Sequence, residues 1–293
     1  MNEWNERIKK ISYTIIIIYI IIGALDLIEF KNEDGRTLSL LDRIFYDIFQ
    51  IKKERSYTQP FGYLFEKSKY FDKPEGFHLL GTDINGNDVL LQTLKGAKTA
   101  LLLSLGVSLV SFPIGILLGL IAGYFGKFID EFIQWFYTTI ASIPWLLFVI
   151  TFLMIFGKGI FWIILAIGLT SWVELARLIR GETLKLRELA FIKSAKITGK
   201  THRKILLEEI LPNTYPIIKI TFILSSSHVI LAETVLTFIG IGVEPNSISW
   251  GIMIAESQRE LMRDPPIWWN FFSASFLGIL PLLLALNFVS EEK

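Results

Sequence analysis

Apolar residues in this chain come in long blocks separated by charged stretches. A hydrocarbon core about 30 Å thick needs ~20 helical residues at 1.5 Å each. Six blocks are near that length: Ile11–Ile28, Thr99–Tyr124, Phe132–Phe156, Ile160–Ile179, Pro216–Gly240 and Ile267–Val289. The fourth is the weakest, because Glu174 and Arg177 lie within it. They stand i,i+3 on one helix face, which predicts an ion pair near the inner boundary. Six such runs predict an all-α integral membrane protein and argue against a soluble α/β core. The first block could be read as a secretory leader, since Arg7, Lys9 and Lys10 precede it. No A-x-A-like site follows it, so it is read as an uncleaved span.

The predicted organisation is a tail at 1–10, a first span at 11–28, an external segment at 29–98, a five-span core at 99–289 and a tail at 290–293. Within the external segment, Leu40/Leu41, Ile44/Phe45 and Ile48/Phe49 recur at helical spacing. They predict an amphipathic helix at about 39–50, on the membrane surface or on the outer ends of the spans. Phe61, Tyr63, Phe65, Tyr70, Phe71 and Phe77 follow. These are either interfacial anchors or a docking surface for an external protein.

Loop charge sets the orientation. Nine Lys/Arg against four acids between Arg177 and Glu209 place that loop in the cytoplasm. Both termini are then cytoplasmic, and 31–98 and 241–266 lie outside. Composition removes other classes. Of 293 residues 52% are hydrophobic and 19% charged, and 29 Lys+Arg nearly balance 28 Asp+Glu, so no basic field points to nucleic acid. The absence of cysteine excludes disulfides, thiolate metal sites and cysteine nucleophiles. His78, His202 and His228 show no ligand spacing, and no metal site is expected.

Two motifs look like chemistry but lack its requirements. Asp83 to Asp88 opens like a calcium loop, but the sixth and twelfth positions are Asp88 and Leu94 rather than Gly and Glu. Ser194 to Thr201 ends like a phosphate loop, but Ser194 replaces the first glycine and no buried strand precedes it.

Small residues four apart mark helix contacts. Gly115, Gly119 and Gly123 form one row with Ser111, and Ala100, Ser104 and Ser108 form a second. Such rows let helices approach closely, here within the chain or across a subunit boundary. Span five carries Ser225, Ser226, Ser227, His228 and Glu233. Polar groups at membrane depth should face other helices or a water-filled cavity, so Ser225, Ser226, His228 and Glu233 are candidates to line a path. For Glu233 the alternative is a hydrogen-bonded staple between helices.

The loop Lys193-Ser194-Ala195 … Gly199 … Leu211-Pro212-Asn213 resembles the E-A-A…G…L-P loop of ABC importer permeases. Gly81-Thr82-Asp83, Gly86-Asn87-Asp88, Ala176-Arg177 … Arg180-Gly181 and Ala232-Glu233 … Gly240-Ile241-Gly242 … Trp250-Gly251 are similar to one subgroup. That subgroup is the second permease subunit of dipeptide, oligopeptide and nickel importers. The resemblance covers roughly 81–289.

It implies a type I permease, with a five-helix core after an extra N-terminal helix, in the bacterial cytoplasmic membrane. It implies a heterodimer with a second permease, two ABC ATPase subunits that hold ATP and magnesium, and an extracytoplasmic substrate-binding protein. This chain would bind no cofactor and catalyse no reaction. Peptide is the expected substrate, with nickel as the alternative. A membrane anchor for another complex, or an intramembrane hydrolase, would be the competing classes. A coupling loop at 180–212 would meet the ATPase through Ala190, Phe191, Lys193, Ser194, Ala195, Gly199, Leu211 and Pro212. Its short helix would run from Ala190 to about Thr198, turn at Gly199 and enter a second helix ending at Pro212. Lys193 stands where the family usually has Glu, so a compensating change is expected on the ATPase.

Overall fold

A computed structural model describes residues 2–31, 37–49, 53, 54, 56–61, 71 and 75–291. Tyr63, Phe65 and Tyr70 of the aromatic run, and the side chains of Ile48 and Phe49, lie outside the described residues. The elements are α1 (Asn2–Leu27), β1 (Glu29–Lys31), β2 (Thr37–Ser39), α2 (Leu40–Phe49), α3 (Val89–Phe125), α4 (Lys127–Ala141), α5 (Trp145–Phe156) and α6 (Ile160–Leu186). They continue as α7 (Ala190–Ile197), α8 (His202–Lys204), a π-helical stretch Ile205–Ile210, α9 (Leu211–Phe238), α10 (Trp250–Leu261), α11 (Trp269–Phe272), a second π stretch Ser273–Ile279 and α12 (Leu280–Ser290). Five helical runs are long and apolar enough to cross a membrane, and six if the bent pair α4–α5 is one span.

The chain forms two compact units: residues to Leu103 with those from Ile230 on, and Ser104–Val229. In the first, α1 packs along α12. The Tyr19 hydroxyl donates to the Leu277 and Gly278 carbonyls of the π stretch, where the register shift leaves acceptors free. Trp250 is 2% exposed and wedged between Gly96 and Gly278. A Cβ at either glycine would lie 2.3 or 2.6 Å from the indole nitrogen. That nitrogen donates to the Thr93 carbonyl at 2.7 Å.

The amphipathic helix is α2, and it packs on the end of α1 and the head of α3. Leu41 and Phe45 are buried against Leu91, with Ile22 and Leu25 of α1 beside them. Ser39 and Asp42 cap it reciprocally: the Asp42 N–H donates to Ser39 Oγ, and the Ser39 N–H to Asp42 Oδ2.

The Asp83–Asp88 turn is a helix start. Asp83 Oδ1 accepts the Asn85 and Asn87 amides, and Asp88 Oδ1 accepts the Leu91 amide at 2.7 Å. That cap is why span two begins at Val89, ten residues before the predicted Thr99. His78 is fully buried, with Nδ1 2.9 Å from Asp88 and Nε2 3.3 Å from Glu54. Burial alone would lower its pKa, but the two carboxylates outweigh that and raise it. A raised histidine pKa gives stability that is full below the unfolded value of about 6.5 and lost as pH rises through the folded value. Limited proteolysis of the 53–61 segment should therefore quicken as pH is raised from 6 to 9. In His78→Ala it should be fast at both values.

In the second unit the glycine row lies within the chain. A Cβ on Gly115, Gly119 or Gly123 would meet the Trp172, Ala176 or Arg180 carbonyl oxygen of α6 at 2.7–2.8 Å. The predicted third span, Phe132–Phe156, is not one helix. It breaks between Ala141 and Trp145 with a 73° bend. Pro144 lacks an N–H and disfavours helix at the residue before it. Span five is longer than predicted, running from His202 through the π stretch to Phe238. Pro212 does not end it. The π stretch shifts the bonding register ahead of that proline, and the Asn213 side-chain Nδ2 donates to the Glu209 carbonyl at 2.6 Å. Glu174 and Arg177 are not paired; the Arg177 guanidinium lies 5.0 Å from the centre of the Tyr137 ring.

Candidate functional site

The loop after α6 folds as a short helix rooted on one side. Ile192 and Ala195 of α7 are buried with Leu186, Ile205, Ile210, Ile179 and Tyr124. Apolar residues at 192, 195 and 205 thus fix the helix to the ends of α3, α6 and the π stretch. The opposite side, with Ala190, Phe191, Lys193, Ser194 and Ile197, is exposed. Ile197 is 87% exposed, a large cost in water unless something covers it.

Gly199 ends α7 with φ +78°. Its N–H donates to the Lys196 carbonyl at 3.2 Å, and the Lys200 N–H to the Ala195 carbonyl at 3.1 Å. This is the paired 5→2 and 6→1 pattern of a Schellman end, whose left-handed position glycine occupies without strain. Thr201 then caps the next helix, its hydroxyl accepting the Lys204 N–H. Leu211 is half-buried against the same core, while Pro212 is exposed.

The basic residues of the loop are answered locally. Lys193 Nζ lies 3.2 Å from Glu188, and both side chains are exposed. Lys200, in the phosphate-loop-like stretch, pairs with Glu208 and Glu209. Tyr124, at the end of α3, bonds His202 Nδ1 at 2.8 Å, and Lys196 stands over its ring at 4.9 Å. Arg187 donates to the Gly123 carbonyl at 2.9 Å, and Arg180 holds Asp130 of α4 with a bond of 2.7 Å. The two ends of the loop are thus tied to α3 and α4. The sequence reading missed these ties: no spacing rule connects Tyr124 to His202, or Arg180 to Asp130.

On span five the candidates separate. Ser226 is buried and bonds its own backbone, to the Phe222 carbonyl at 2.8 Å. Ser225 is half-buried. Glu233 is 4% exposed, accepts the Thr237 hydroxyl at 2.8 Å and sits 2.9 Å from where a Gly251 Cβ would be. It braces the loop that leads to α10. Of the four, His228 alone is exposed, on a stripe with Leu224, Leu231 and Val235.

Known proteins were compared with this chain. Residues 115–291, more than half of it, match the family "Binding-protein-dependent transport system inner membrane component". The chain is 34% identical over 217 residues to an oligopeptide transport system permease protein of Haemophilus influenzae, covering 74% of this chain and 68% of that one. It is 32% identical to a dipeptide transport system permease protein of Bacillus subtilis, covering 70% and 64%. To an oligopeptide transport system permease protein of Escherichia coli K12 it is 31% identical, covering 74% and 70%. A solved structure of the MetNI methionine ABC transporter, inward facing, aligns with a TM-score of 0.49 at 14% identity, covering 69% of this chain and 92% of that chain.

Proposed function

Because the chain belongs to the family of binding-protein-dependent transport system inner membrane components, we propose that it forms half of the pore of an ATP-driven peptide importer. A second permease would complete the pore, and two ATPase subunits would bind ATP and magnesium. An extracytoplasmic binding protein would deliver the substrate. The observation that supports this most is the α7 turn, anchored by Ile192 and Ala195 while Phe191, Lys193 and Ile197 stand open to a partner. Such an element suits the transfer of a rigid-body motion from an ATPase to α3, α6 and span five, switching the pore between outward and inward access. Peptide as the substrate rests on the oligopeptide and dipeptide permeases among the relatives.

His228 faces the path in this reading. An imidazole in the middle of a span is costly against lipid, so a water-lined or protein-covered surface fits it better. Its ring can both donate to and accept from a peptide backbone.

The test is uptake in proteoliposomes that hold both permeases and both ATPases, with binding protein added outside. ATP-dependent accumulation of labelled oligopeptide is expected. Accumulation of nickel but not peptide would overturn the substrate, and accumulation of neither would overturn the importer. Orientation is tested separately, in a chain with no native cysteine. A cysteine at Lys200 should react only with a cytoplasmic reagent and one at Glu244 only with an external one. The reverse pattern would invert the topology.

A further inference from the structure

Asp42 and Tyr46 of α2, Lys53, the head of α3, the loop before α10 and the first turns of α10 line a cavity of about 370 Å3. That is near the small end of the ~300–1,000 Å3 range of ligand sites. Its wall includes Asp42, Lys53, Asp83, Asp88, Ser247 and Glu256. Three of the four carboxylates are already answered. Asp42 holds Lys95 at 2.6 Å, and Asp88 holds His78. Asp83 receives the backbone N–H groups of Asn85 and Asn87 and the Asn87 side-chain amide. Glu256 has no hydrogen-bond or ion-pair partner among the described residues. Lys53 is exposed and makes no ion pair with these carboxylates among them.

The cavity therefore presents one free carboxylate, Glu256, near a second, Asp83. Burial first, then the Asp83 charge, push the Glu256 carboxyl above its ordinary range, while Arg259 acts the other way. A cation seated against Glu256 would relieve both effects. The lining takes no residue from α1, α5, α6, α9 or α12. It is thus built from α2, Lys53, the head of α3, the loop leading into α10 and the first turns of α10, where Glu256 sits. In the orientation proposed above these elements lie on the outer side, where a docking protein would reach them.

We propose that this cavity receives a basic side chain of the extracytoplasmic binding protein, an ammonium or guanidinium group, with Glu256 as its acceptor. The proposal rests on the importer reading and the orientation given above. The charge of the site, net acidic and with one unpaired acceptor, is complementary to a cation, and such contacts fix register and speed encounter.

The test uses the whole reconstituted complex in nanodiscs. It reads the concentration of binding protein that half-maximally stimulates ATP hydrolysis. Glu256→Gln should raise that concentration about tenfold, as expected for loss of one charged hydrogen bond. Glu256→Lys should raise it further, and the dependence on salt should flatten in both. Ser247→Trp, which fills the cavity without changing charge, should act in the same direction. Glu244→Gln removes an exposed acid of the same loop that does not line the cavity, and should change nothing. Co-purification with the second permease checks that each variant assembles. An unchanged half-saturation in Glu256→Gln and Ser247→Trp would overturn the proposal. So would an unchanged half-saturation with slower uptake of free-amino than of N-acetylated peptides, which would give the cavity to the substrate. A wild-type complex that no binding protein stimulates would instead fail the importer reading, and the proposal with it.

Discussion

Gly199→Val should abolish both peptide uptake and the stimulation of ATP hydrolysis, while leaving the protein in the membrane. Gly199 holds φ +78°, and nothing lies within 4 Å of a Cβ placed there. Its substitution is therefore a backbone problem and not a packing one. A β-branched residue in the left-handed region costs about 1–3 kcal/mol. α7 has only eight residues, and its end depends on the two Schellman bonds at Gly199 and Lys200. The cheap escape is to unwind that end and move Ile197 and Lys193 off the face they share. A displacement of an ångström or two is enough to uncouple an interface of this kind. Asparagine tolerates the same conformation, so Gly199→Asn should keep most of the coupling. Paired measurements of uptake and stimulated ATP hydrolysis check this. Full coupling in the valine variant would remove α7 and its turn as the transmitting element. An asparagine variant as damaged as the valine one would show that something other than φ matters there.

The second large effect is expected in the spans. Gly119→Leu should prevent accumulation of folded protein. A Cβ at Gly119 would sit 2.7 Å from the Ala176 carbonyl oxygen and 2.8 Å from Ile179 Cβ. One is backbone and the other is fully buried, so neither can yield without moving α6. Overpacking costs about 1–3 kcal/mol even where a core can adjust. Here the helices are held by close contact rather than by water exclusion. Gly181 is the control, since a Cβ there meets nothing within 4 Å. Gly181→Ala should leave yield intact, because alanine favours helix over glycine by roughly 0.5–1 kcal/mol. Fluorescence-detected size exclusion of detergent extracts reports both. A sharp wild-type-like peak for Gly119→Leu would mean the glycine row does not hold α3 to α6.

The number of spans was legible because membrane thickness imposes one length on every crossing. The turn after α7 was legible for another reason: a short helix ended by glycine has a local grammar, and Ala190–Gly199 obeys it. What the sequence concealed is non-local. Glu233 reads as a pore acid by depth alone; Thr237 answers it one turn on in α9, but Gly251, against which it packs, stands at the head of α10, and no periodicity reveals that approach. Pro144 and Pro212 are the same residue in similar apolar surroundings. One stands at the break in a span and the other lies within a helix, just after a π stretch, a difference that neither residue's neighbours in sequence announce. The neighbour of Lys193 in this chain, Glu188, stands five residues earlier, a spacing that no helical pairing rule singles out. The clamp on Trp250 needs Gly96 and Gly278, which belong to helices 182 positions apart in the chain.

The Tyr19 hydroxyl finds its acceptor at Leu277, 258 residues further along the chain. At roughly 5–20 residues per second of synthesis, the first helix waits about 13–50 s in the bilayer before that acceptor exists. During the wait α1 has α2 and the head of α3 to pack on, but its phenol is unanswered. A helix made late thus closes a unit that α1 opens, and until Leu277 is made α1 lacks both its acceptor and the helix it packs along.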